Sequence, residues 1–340
     1  MNQTSESTAT PEPSGRRPAR PGLQRQRTGW SSWWKVALSL ALLAFVLNRV
    51  GWEQTRQALS EAHVPYLLVA QAVALVGIVV RAIRWRVLLD ALGLRFSLAR
   101  LTQLYFVGAF FSTFLPTGVG GDVVRAYEVA EQSERPPEAL GTVLLDRASG
   151  LLALLAMALV TLALAGSLVD RQIVVLLVLL AVGAWGGVAL LLRRDWLERL
   201  GLLRLVRRFR AVAEVYEAMH ACGPAAMGRA VVIGVLLNGM VIAINVLIAR
   251  SLGVDIPLGY FFLFVPIITS LLMLPVSMSG LGVREGAYVY LFAQAGVPSS
   301  QALTMSLLVY ASNVATGLVG GALYALQGLY ELRTKSAGRD

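Results

Sequence analysis

The run Leu115-Pro116-Thr117-Gly118-Val119-Gly120-Gly121-Asp122-Val123-Val124-Arg125 decides how this chain is read, because it stops an apolar helix in mid-course and restarts it. The same order of residue types returns at Leu274-Pro275-Val276-Ser277-Met278-Ser279-Gly280-Leu281-Gly282-Val283-Arg284-Glu285. Each stretch is Leu-Pro, then small residues and glycines, then an arginine with a carboxylate near it. Pro116 and Pro275 end the incoming helix because proline has no N–H, and glycine turns the chain without a Cβ clash. The arms leading in, Leu101 to Leu115 and Gly259 to Leu274, are short for a membrane crossing, which takes ~20 apolar residues for ~30 Å of hydrocarbon.

Working outward, each interruption is flanked by helices of spanning character. The spacing predicts spans at Trp33 to Val50, which is short, Pro65 to Leu89, Thr142 to Gly166, Ile173 to Leu192, Arg229 to Leu252 and Leu303 to Gly328. The chain is 56% hydrophobic and 15% charged, so lipid is the solvent for most of it. Its net charge of +10 sits in arginines beside apolar runs, which suits anionic lipid headgroups and argues against nucleic acid. Cys222 is the one cysteine, and His63 and His220 are the only histidines. That excludes a disulfide framework and a His/Cys metal centre, and no cofactor is expected.

Residues 1–32, rich in Ser, Thr, Pro and Arg, read as a disordered basic cytoplasmic tail. The run from Trp33 lacks a small-residue cleavage site before Gly51, which favours a retained anchor over a removed signal peptide. Residues 33–330 then form the membrane domain, with repeat one near 65–166, repeat two near 229–328 and a short cytoplasmic tail at 331–340. The arginine-rich segment 193–222, with Leu197, Leu200, Leu203 and Val206 interspersed, reads as an amphipathic connector on the cytoplasmic leaflet; a solvated linker helix is the other reading.

Basic loops orient the whole. The tail, the Arg84 to Arg100 loop, the Arg193 to Arg210 block and the C-terminal end with Arg333, Lys335 and Arg339 all carry the positive charge expected of the cytoplasmic side. Satisfying all four requires the first interrupted region to enter and leave from the cytoplasm and the second to do so from outside. The competing arrangement makes Leu101 to Leu115 an ordinary span followed by a surface helix, and it puts the Arg193 block outside. The expected fold class is therefore all-α and polytopic, an inverted repeat of helix, broken re-entrant hairpin, helix, in the cell membrane with both termini cytoplasmic.

In such a repeat the site lies where the broken helices meet. Helix starts at Asp122 and Val283 offer free N–H groups and partial positive charge to an anion. Candidate substrate-binding residues are Arg81, Arg84, Gly118, Gly120, Gly121, Asp122, Arg125, Asp146, Arg147, Ser279, Gly280, Gly282, Arg284 and Glu285. Each has a plainer reading. Asp122 with Arg125, Glu285 with Arg284 or Arg125, and Asp146 with Arg147 would simply neutralise one another; Arg84 and Arg86 would snorkel; glycines would serve close packing. Asn238, Asn245, Ser312 and Asn313 read as interhelical hydrogen-bonding groups.

These residues resemble the transmembrane, flippase-like region of lysylphosphatidylglycerol synthases and its stand-alone relatives. The resemblance runs through Arg81-Ala82-Ile83-Arg84-Trp85, Leu115 to Arg125, Leu144-Leu145-Asp146-Arg147 with Gly150, and Leu274 to Glu285. It implies a lipid translocator without the soluble aminoacyl-transferase domain of the full-length synthases, since the chain stops at Asp340. One departure is Ala311, where the resemblance leads one to expect an arginine after Tyr310. The function expected is binding and moving an anionic or phosphate-bearing lipid between leaflets, not catalysis: an arginine beside each carboxylate makes a poor general base. The partners expected are membrane lipids. An accessory subunit for a separate transferase, or a transferase acting on a lipid-linked substrate, are the alternatives.

Overall fold

The computed structural model describes residues 57, 60–114, 120–133, 135–165, 171–192, 208, 210–273, 280 and 282–337. The expected tail, the Trp33 to Val50 span, most of the basic connector, and Pro116, Gly118, Pro275 and Ser279 lie outside them. Among the described residues the chain is all-α and has no strand. In chain order the helices are α1 (Val64–Ala91), α2 (Leu98–Phe114), α3 (Gly120–Glu131), α4 (Pro136–Ala165), α5 (Arg171–Leu192), α6 (Arg210–Ser251), α7 (Leu258–Met273), α8 (Val283–Ala293) and α9 (Ser299–Ala337). α1, α4, α6 and α9 are each long and apolar enough to cross a membrane. The protein is a multi-pass membrane protein.

The halves share an order: long helix, arm, short helix, long helix. The arms α2 and α7 have 17 and 16 residues, and the returning helices α3 and α8 only 12 and 11. At about 1.5 Å per residue none of the four reaches across the hydrocarbon alone. α3 folds back along α2, where a Cβ on Gly121 would stand 2.0 Å from the Gly108 carbonyl oxygen. That contact packs α3 against α2.

Both halves also turn in the same way. At the end of α1, Gly93 (φ 75°) lets the Leu94 N–H reach the Leu89 carbonyl, at 3.0 Å; at the end of α6, Gly253 (φ 68°) does the same for Val254 and Ala249, at 3.0 Å. This is the glycine C-cap that satisfies otherwise stranded carbonyls. α1 and α6 lie side by side and run antiparallel: Cys222 near the start of α6 donates to the Leu88 carbonyl near the end of α1, and the His63 N–H before α1 donates to the carbonyl of Ser251 at the end of α6. Within α6, Gly223 interrupts the helix with a φ of 73° and a ψ of 165°. Pro224 then begins the apolar part, as proline does in a first helical turn.

Each arm packs on the last helix of the other half, α2 against α9 and α7 against α4. The α2–α9 contact depends on small residues. A Cβ on Gly320 would lie 1.8 Å from the Phe106 carbonyl oxygen, and one on Gly321 would lie 2.7 Å from the Phe110 ring. In lipid, where water drives no association, such backbone proximity supplies the dispersion contact that joins helices. Gly320→Val should therefore lower the thermal midpoint of the purified protein or abolish its folding, by about 3 kcal/mol or more. Gly228→Ala, where a Cβ meets nothing within 4 Å, should leave it unchanged, both measured by melting in detergent.

Candidate functional site

A cavity of about 510 Å³ opens between the halves, lined by α1, α2 with α3, α4, α6, α7 with α8, and α9. Among the described residues four arginines face it, Arg81, Arg125, Arg147 and Arg284, against one carboxylate, Asp122. A second cleft, about 340 Å³ beside Arg250, Asp255 and Phe261, lies at the α6–α7 turn and touches none of these residues.

The charged wall is built by the first half. Asp146, on α4 and 2% exposed, is its centre. Its Oδ1 accepts from Arg84 Nε at 2.8 Å, its Oδ2 accepts from the Tyr105 hydroxyl, and Arg125 Nη1 stands 3.6 Å from that second oxygen. Arg84, read from the sequence as a substrate-binding or a snorkelling arginine, instead turns inward to Asp146, and neither residue lines the cavity among the described residues. Room for Arg84 comes from Gly150, where a Cβ would sit 2.7 Å from its Nη1. Arg125 is also buried and lies over Tyr105 at 4.0 Å and Trp85 at 5.1 Å from the ring centroids, so two aromatic faces hold the cation. Trp85 is fixed in turn by its indole N–H, which donates to Thr142 Oγ1 at 3.0 Å.

Asp122, in the first turn of α3, accepts from Arg125 Nη2 on Oδ1, and its Oδ2 forms an ion pair with Arg147 Nε at 2.9 Å. The local Asp146–Arg147 pair expected from the sequence does not form. Neighbours on a helix point about 100° apart, so Asp146 faces the core and Arg147 the cavity, and each pairs across helices. Arg81 lines the cavity one turn before Arg84 and, among the described residues, has no carboxylate within ion-pair distance.

The second half is built differently. Glu285 is fully buried and accepts from the Gly282 N–H at 2.6 Å, capping α8; no ion pair joins it to Arg284 or Arg125 among the described residues. Glu285 thus takes one N–H at the start of α8, that of Gly282. Arg284 lies over the Tyr310 ring at 4.8 Å. Asn245 accepts from the Tyr288 hydroxyl, and Ser312 donates to Gln71 at 2.8 Å, so these two act between helices as expected while also lining the cavity. Gly121 serves the α2–α3 approach; Gly120 and Gly282 are buried at their helix starts, and Gly280 (φ 78°) lines the cavity. Tyr105, Tyr288 and Tyr310 escaped the sequence reading, because a tyrosine in an apolar helix carries no signal of what it faces.

The family model described as the lysylphosphatidylglycerol synthase TM region matches residues 32–321, and the chain belongs to that family. A comparison with curated proteins gives no match.

Removing Asp146 would strand Arg84 in the core. Asp146→Asn should cost about 3–5 kcal/mol of stability. Glu128→Gln, which breaks the partly exposed pair to Arg100 at 2.8 Å, should cost under about 1 kcal/mol. Thermal melts of the two variants in one detergent check the order.

Proposed function

We propose that this protein binds an anionic, phosphate-bearing lipid headgroup in the cavity between its halves and passes it from one leaflet to the other. The supporting observation is the lining itself: among the described residues, four guanidinium groups and one carboxylate, contributed by α1, α3, α4 and α8, in a chamber of about 510 Å³. Cations inside a membrane domain are costly, about 2.5–3.5 kcal/mol each on insertion scales, and they are characteristic of substrate pathways. An oxyanion offsets that cost by accepting from several guanidinium groups at once.

The architecture that goes with this function is an inverted repeat in the cell membrane, α1 to α4 and α6 to α9, with both termini cytoplasmic. The antiparallel run of α1 beside α6 supports it, as does the exchange of arms onto the opposite half. Rocking one half on the other would open the shared cavity to each leaflet in turn. Asp122 and Asp146 are both engaged by guanidinium groups, which suits holding a ligand and not proton abstraction, so the reading is transport without catalysis.

In liposomes, the purified chain should speed transbilayer movement of headgroup-labelled phosphatidylglycerol over phosphatidylcholine. Arg81→Gln, which breaks no internal pair, should slow it about tenfold or more, the worth of one charge-assisted hydrogen bond. Equal rates in wild type, Arg81→Gln and Arg284→Gln would sink the cavity as the route. Single cysteines at Ser133 and Ser299, in a Cys222→Ser background, should label from opposite sides of sealed vesicles; labelling from one side would refute the inversion.

A further inference from the structure

The cavity contains one anion of its own, and its placement differs from that of every other carboxylate nearby. Asp146 is sealed at 2% exposure, and Glu285 is fully buried as a helix cap. Asp122 alone lines the cavity, with its side chain 19% exposed. Its two oxygens divide between two arginines on different footings: Arg125 is caged by Trp85 and Tyr105, whereas Arg147 has 49% of its side chain exposed.

We propose that Asp122 is a built-in stand-in for the substrate's anionic group, which competes with Asp122 for Arg147 during loading. This rests on the function proposed above and names how that site is regulated. An arriving phosphate oxygen takes the Arg147 guanidinium, and Asp122 keeps Arg125, so no charge is left unmatched at any point in the exchange. The exchange also has a mechanical consequence. Asp122 sits in the first turn of the 12-residue α3, and Arg147 sits on α4. Two polar ties join these helices, Arg125 to Asp146 at 3.6 Å in the core and Asp122 to Arg147 at the cavity wall, so a headgroup that takes Arg147 removes the cavity-side tie and leaves the core one. A ligand shifts a conformational equilibrium only through such a differential contact.

On the other wall Arg284 of α8 lies over the Tyr310 ring of α9, so a headgroup reaching Arg284 meets an aromatic face there.

Binding of dansyl-phosphatidylglycerol to the full chain in phosphatidylcholine nanodiscs, read by energy transfer from tryptophan, tests the stand-in. Asp122→Asn should bind about tenfold tighter than wild type. Asp122→Glu, which restores a competing carboxylate, should return to near wild-type affinity, and Glu128→Gln, away from the cavity, should not differ from wild type. The gain from Asp122→Asn should shrink in an Arg147→Gln background, because the two residues share one interaction. No gain, or an equal gain in that background, overturns the proposal. If Arg81→Gln still weakens binding in that event, the cavity survives as the lipid site and only the role of Asp122 falls; if wild type shows no preference for phosphatidylglycerol, both fall. Should Asp122→Asn fail to fold, amide hydrogen exchange on wild type decides: phosphatidylglycerol should speed exchange in 120–131, and an unchanged rate sinks the idea.

Discussion

A charge placed in an apolar interior must be met by an opposite charge or by several hydrogen bonds, and Asp146 is where this chain meets that requirement. Its two oxygens draw in Arg84 from α1, Tyr105 from α2 and Arg125 from α3, all onto α4. Four helices are thereby set in one geometry by a single carboxylate. The cavity wall follows from it, since Arg125 held against Asp146 and two rings places Asp122, and Asp122 places Arg147.

Such a network is possible only where backbones come close enough to leave room for guanidinium groups. Gly150 yields the volume that Arg84 fills, and Gly121 against Gly108 brings the start of α3 onto α2, so that Arg125 reaches the core. On the far side, Gly317, Gly320 and Gly321 carry α9 onto α2 and close the chamber. Small residues and buried ion pairs are thus two parts of one solution. Packing excludes lipid from the polar groups, and the polar groups give the packed helices a defined register.

The halves repeat in backbone and differ in chemistry. On α3 and α4 the facing residues are Asp122 and Arg147; on α8 and α9 they are Arg284 and Tyr310. Across to the first helix of each half, Arg125 meets Trp85, whereas Tyr288 meets Asn245. The same order of helices therefore presents a charged wall and an aromatic, amide-bearing wall to one chamber.

That the chain is all-α and crosses a membrane several times was readable from residue order, because hydrophobic length acts locally along a helix. Arg81, Arg125, Arg147 and Arg284 could be singled out for the same kind of reason, as cations too costly to leave facing lipid. The pair Asp122 with Arg125, one turn apart, was read and forms, but partner choice for adjacent residues could not be read. Asp146 stands beside Arg147 in the chain yet pairs with Arg84, and Glu285 stands beside Arg284 yet caps Gly282. Adjacent residues on a helix diverge by about 100°, so who meets whom depends on which helices touch, and at what register. That information lives in the packing of α1, α2, α3 and α4, settled by long-range contacts between residues as far apart as Arg84 and Asp146.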